Sequence, residues 1–101
     1  MIQHIVMWKI NENHEGKNKR ELALELKNRL MELKKVIKEI KSLEVGINGA
    51  NLERNHVLVL VSLFNSFADL EVYANHPEHL KLVEFVRQVT HSKVAVDYEI
   101  S

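Results

Sequence analysis

The stretch Ile2-Gln3-His4-Ile5-Val6-Met7-Trp8-Lys9-Ile10 decides the fold. Its β-branched and bulky residues predict a strand over residues 2–10. Alternation along a strand sends His4, Val6, Trp8 and Ile10 to one face and Ile5 and Met7 to the other. Both faces are apolar, the pattern of a strand inside a sheet rather than at its edge. Residues His56 to Phe64 repeat it, with Leu58 and Leu60 alternating against Val57, Val59 and Val61. Two further strands are apolar on one face only, as edge strands tend to be. These are Leu43-Glu44-Val45-Gly46-Ile47 and Lys93 to Ile100, where Val94, Val96, Tyr98 and Ile100 oppose Lys93, Asp97 and Glu99.

The segments between them read as helices and loops. Asn11 to Asn18 is a polar loop. From Lys19 to about Ile40, Ala23, Leu26, Leu30, Leu33, Ile37 and Ile40 recur at spacings of three and four, which predicts a long amphipathic helix. Asn48-Gly49-Ala50-Asn51 is a turn signal. Ser66, with Asp69 three residues on, caps a short helix to about Ala74, and His76-Pro77 restarts a helix through Val89. The order is β-α-β-β-α-β, which predicts a ferredoxin-like α+β sandwich with its second helix split and strands one and three central. Strands one and three are expected to run parallel, which would put His4 and His56 at the same end.

Helices cover one face of such a sheet, yet the central strands are apolar on both. An uncovered patch of several hundred Å² is rarely left wet on a monomer. A homodimer packed sheet against sheet is the simplest expectation.

Composition narrows the function classes. The 101 residues are expected to form one domain. The 14 basic and 14 acidic side chains cancel, so no excess of cations attracts nucleic acid. With no cysteine, disulfides, thiolate chemistry and zinc–cysteine sites are excluded. The run Ile5-Val6-Met7-Trp8 is too short for a signal peptide, and no stretch approaches the roughly 18 apolar residues that span a bilayer. The expectation is a cytoplasmic protein without nucleic-acid or membrane partners.

Chemistry concentrates in Tyr73-Ala74-Asn75-His76-Pro77-Glu78-His79, a phenol and two imidazoles at a helix break. In the structural reading, His76 is the N-cap and Pro77 the first helical residue, where its missing N–H costs nothing.

The Met1-Ile2-Gln3-His4-Ile5-Val6-Met7-Trp8-Lys9 start, the His76-Pro77-Glu78-His79 turn and the Val96-Asp97-Tyr98-Glu99 close resemble the Dabb family, the stress-responsive dimeric α/β-barrel proteins. The resemblance covers essentially the whole chain and implies a ferredoxin-like protomer whose sheets pair into a barrel. The family includes the plant olivetolic acid cyclase, a cofactor-independent aldol catalyst. Its catalytic tyrosine and histidine match Tyr73 and His79, and its strand-one histidine matches His4. By parity Val6 and Trp8 share the face of His4, so a cavity there would be bound by all three. An imidazole can take a proton beside a carbonyl while a phenol holds the developing oxyanion. The chain departs from the cyclase at its pocket: helix one offers Ala23, Leu26 and Leu30, and Thr90 stands at the helix-three tryptophan position. The pair carries over; the polyketide substrate does not.

His56 begins strand three on the parity of Leu58 and joins His4, Val6 and Trp8 as a binding candidate; with His4 and His79 it also offers a three-histidine metal site. The resemblance gives no metal ligand at that position. Haem is the other alternative, but the asparagine–tryptophan–histidine arrangement of related haem-degrading barrels is not recognisable. No metal or cofactor is therefore expected. His14 and His91 read as structural or solvated, and Asp97 and Glu99 as a solvent face. Two functions remain: a small homodimeric module binding an apolar small molecule or merely persisting as a stable dimer, and a cofactor-independent lyase or cyclase using His79 and Tyr73.

Overall fold

In the computed structural model residues 1–50 and 56–100 are described; Asn51, the last residue of the predicted turn, lies outside them. Strands β1 (Ile2–Ile10), β4 (Ser42–Ile47), β5 (Leu58–Phe64) and β6 (Thr90–Glu99) form one sheet in the order β4-β5-β1-β6. The two strands that are apolar on both faces are central, and the half-apolar strands are the edges. Helices α1 (Lys19–Val36), α2 (Phe67–Ala74) and α3 (Pro77–Val89) complete a ferredoxin-like α+β fold. No helix among the described residues is long and apolar enough to cross a membrane.

One expectation fails here. Strand β5 runs antiparallel to β1, not parallel, with Trp8 opposite Leu58 and His4 opposite Ser62. The α1 crossover returns the chain parallel to β1, and the connection from β4 then reverses β5 between them. His56, just ahead of β5, therefore lies at the Trp8 end, away from His4.

The register separates two faces. Toward the helices point His4, Val6 and Trp8, flanked on β5 by Ser62, Leu60 and Leu58 and on β6 by Asp97, Ala95 and Lys93. Against this face α1 buries Leu22, Ala23, Leu26, Leu30 and Leu33. Toward the open side point Ile5 and Met7, flanked by Val61 and Val59 and by Val96 and Val94. Met7, Val94, Val96 and Tyr98 are exposed there, Val96 at 50%. Val57, expected on this open face, is buried, and its N–H donates to the Trp8 carbonyl at 2.7 Å.

Local boundaries differ from the periodicity in instructive ways. α1 stops at Val36 rather than near Ile40, because Ile37 turns extended while its N–H still donates to the Leu33 carbonyl. Ile37 and Ile40 remain buried, so a tight turn keeps them in the hydrophobic pattern without helix. The N-terminus of α1 is secured by a capping box, in which Asn18 and Glu21 satisfy each other's backbone N–H groups.

The expected 11–18 loop contains a small hairpin, β2 (Asn13–His14) and β3 (Lys17–Asn18). Glu15 and Gly16 at its tip both have positive φ, 50° and 82°, as mirror-image hairpin turns require. Lys17 and Arg29 reach Glu25 at 2.5 and 2.6 Å and hold its carboxyl below the usual carboxylate range, the Lys17 hydrogen bond contributing most.

Candidate functional site

The site begins at the break between α2 and α3. Ser66 caps α2 by accepting from the Asp69 N–H at 3.1 Å, and α2 ends at Ala74. His76 adopts an extended conformation as N-cap of α3, its Nδ1 accepting from the Glu78 N–H at 3.1 Å, with Pro77 first in the helix. This is the capping role expected from sequence, and it uses up the ring nitrogen that faces the backbone.

The reversal brings His79 back over the end of α2. Its Nδ1–H donates to the Ala74 carbonyl at 3.0 Å, one of the terminal carbonyls that α2 leaves unpaired. A carbonyl only accepts, so in the neutral ring the proton sits on Nδ1 and Nε2 is bare. Burial pushes the His79 pKa below its ordinary value; the Ala74 contact opposes this, and His4, Lys93 and His76 add to it. The net effect favours the neutral ring.

Tyr73 lies beneath it, 2% exposed. The centroid of its ring is 4.4 Å from that of His79 and 5.2 Å from that of Phe64. Burial raises the phenol's pKa far above the ordinary tyrosine value, so the hydroxyl keeps its proton and serves as a donor. His4 approaches Tyr73 edge-on, with centroids 5.9 Å apart. Its Nδ1 is paired with Asp97 across the β1–β6 register, which orients the ring.

These groups share the wall of one cleft of about 570 Å³. Val6 and Leu60 from the sheet and Leu82, Val83 and Val86 from α3 make it apolar. Trp8 also lines it, and its buried Nε1–H has no hydrogen-bond partner among the described residues. An orphaned buried donor costs about 1–3 kcal/mol.

Tyr73, His79, His4, Val6 and Trp8 thus converge. His56 does not: its Nε2 lies 3.2 Å from the Ser92 hydroxyl, and it borders a separate hollow with Met7, Val57 and Val59. The antiparallel β1–β5 pairing removes the three-histidine site, and among the described residues no three His, Cys, Asp or Glu side chains cluster as metal ligands.

Asp97 is exposed, as the sequence reading expects, but it also lines the cleft. Lys93 and His91 line it too, His91 with Nδ1 2.9 Å from the Asn11 side-chain oxygen. The signal was the parity of the last strand. Once Val94, Val96 and Tyr98 occupy the open sheet face, Lys93 and Asp97 must face the helices. Glu99 follows the same parity but does not line the cleft.

The stress responsive A/B barrel domain profile matches residues 2–100, and the chain belongs to this family. Among curated proteins no sequence matches it. A dimeric protein of unknown function from Bacteroides fragilis, with a ferredoxin-like fold, is 29% identical; the match covers 98% of this chain and 95% of that one, with a TM-score of 0.84. A dimeric ferredoxin-like protein of unknown function from Thermobifida fusca is 19% identical over 98% of this chain and 90% of that one, TM-score 0.82. The hydroxynitrile lyase of Passiflora edulis has the same fold at 16% identity, covering 99% of this chain and 93% of that one, TM-score 0.82.

Proposed function

We propose that residues 1–101 form a single domain that works as a homodimer, with a cleft in each protomer that binds an apolar small molecule. The observation that carries this reading is the shared wall: Tyr73, His79 and His4 border one apolar cleft of about 570 Å³. That volume lies within the usual range for small-molecule sites, and polar side chains share its wall with apolar ones from the sheet and α3. The exposed apolar face of Met7, Val94, Val96 and Tyr98 supports self-association, as does the dimeric state described for the Bacteroides protein.

A second reading rests on the same residues and extends the first. His79 and Tyr73 are proposed as a proton-transfer pair for cofactor-independent chemistry beside a carbonyl, the chemistry that resemblance to the olivetolic acid cyclase implied. Burial favours neutral His79 and protonated Tyr73, the forms a base and an oxyanion donor require. A lyase in Passiflora edulis uses the same fold, so the scaffold is compatible with such chemistry.

The test needs no natural substrate. Octan-2-one in D₂O should exchange its α-protons faster with the protein than with buffer, followed by NMR. His79→Ala should lower the protein-dependent rate by roughly 10²–10⁴. Exchange equal to the buffer rate with the wild-type protein would overturn the proton-transfer reading while leaving binding to be measured directly.

A further inference from the structure

Gly46 lies inside β4, where the register against β5 runs unbroken from Ser42 to Ile47 and its φ is not positive. Neither a bulge nor a left-handed turn calls for glycine there, and glycine within a strand weakens it. A Cβ added to it would meet one atom within 4 Å, a Val59 methyl at 3.2 Å. Beside it the open face of the sheet is hollowed by about 530 Å³, bordered by Met7, Val57, Val59 and His56. Asn48 on the rim spends its amide on the His56 carbonyl and the Ala50 N–H. His56 turns its Nε2 to the Ser92 hydroxyl. With these polar groups engaged inside the protomer, the hollow suits an apolar occupant. A strand glycine of this kind marks a place where another chain or ligand comes close.

An occupant that fits stands at the opposite edge of the same face. The register aligns Gly46, Val59, Met7 and Val94 in one row across β4, β5, β1 and β6. That row falls from Val94, 44% exposed, to the notch at Gly46. We infer that in the homodimer Val94 of each copy seats in the Gly46 hollow of the other. This rests on the proposed sheet-to-sheet dimer and names the contact that sets its alignment. A two-fold pair packed face to face has its axis in the plane of the interface. An axis along the strands, between β5 and β1, reverses the row upon itself, with Val94 against Gly46 and Met7 against Val59. An axis across the strands lays β6 on β6. It stacks the projecting Val94, Val96 and Tyr98 against their own kind and leaves both hollows empty, a loss of contact that close-packed interiors avoid.

Within one protomer Gly46 and Val94 are three strand spacings apart, about 14 Å, too far for a nuclear Overhauser effect. In a mixed dimer of isotope-labelled and unlabelled wild-type protein, an effect between the Val94 methyls and the Gly46 α-protons therefore reports contact between copies, and it should be present. Gly46→Val fills the notch and should raise the dissociation constant of the dimer roughly ten-fold, the usual consequence of overpacking. Exchanging knob and notch, Gly46→Val with Val94→Gly, should restore most of that loss, read by sedimentation. A wild-type monomer at micromolar concentration would overturn the dimer and this contact together. A wild-type dimer that lacks the Val94–Gly46 effect would overturn the contact and leave the dimer standing. So would a dissociation constant unmoved by Gly46→Val, or an exchange that restores nothing.

Discussion

The rings of Tyr73 and His79 lie 4.4 Å apart, centroid to centroid, although six residues and a helix break separate them in the chain. Helical spacing alone does not bring them together. The reversal at His76-Pro77 does, and the Nδ1–H of His79 fastens it to the Ala74 carbonyl at 3.0 Å. Removing the phenol oxygen should therefore separate chemistry from binding. Tyr73→Phe should keep the ring packing on Phe64 and lower proton exchange at octan-2-one by roughly 10²–10³, the usual cost of losing one oxyanion donor. Octan-1-ol affinity, read by calorimetry, should change little. A rate unaltered by Tyr73→Phe would remove Tyr73 from the pair.

His79 should titrate below the ordinary histidine value of about 6.5, because burial disfavours its cation. The folded protein then binds fewer protons at this site than the unfolded chain, so stability rises with pH across the interval between the two values. The contribution is complete above about pH 6.5 and is lost as pH falls through the depressed folded value. His79→Gln should flatten that part of the profile. Urea denaturation at several pH values, with NMR titration of the ring, measures both, and a His79 that titrates at or above the ordinary value would contradict the prediction.

His76 should prove to be a cap and nothing more. His76→Ala removes the acceptor for the Glu78 N–H and should lower stability by about 1 kcal/mol. Binding of octan-1-ol should hold, since the His76 side chain is spent on the backbone. Loss of binding at unchanged stability would move His76 into the site.

Val59 faces the open side of the sheet next to Gly46, whose added Cβ would meet it at 3.2 Å. Val59→Glu should convert the proposed dimer to monomer, because burying an unpaired carboxylate in that interface costs several kcal/mol. Sedimentation of both proteins at micromolar concentration checks this. A wild-type monomer under those conditions would end the sheet-to-sheet dimer.

Much of this protein was determined by local sequence alone. Period-two alternation identified β1 and β5 as strands apolar on both faces and hence central in the sheet, since a side chain's face on a strand depends only on parity. Capping chemistry placed Ser66, His76 and Pro77 correctly, because a cap is satisfied by backbone groups two or three residues away. Tertiary structure decided what depends on partners distant in the chain. It set β5 antiparallel to β1, which sent His56 to the wrong end for a site with His4. It turned Asp97 and Lys93 into the cleft, because the apolar half of β6 belongs to the open face of the sheet and not to the helix-covered core. It also ended α1 at Val36, where Ile37 and Ile40 stay buried in a turn that periodicity cannot tell from helix. Parity says which residues share a face; only the packed neighbours say which face is inside.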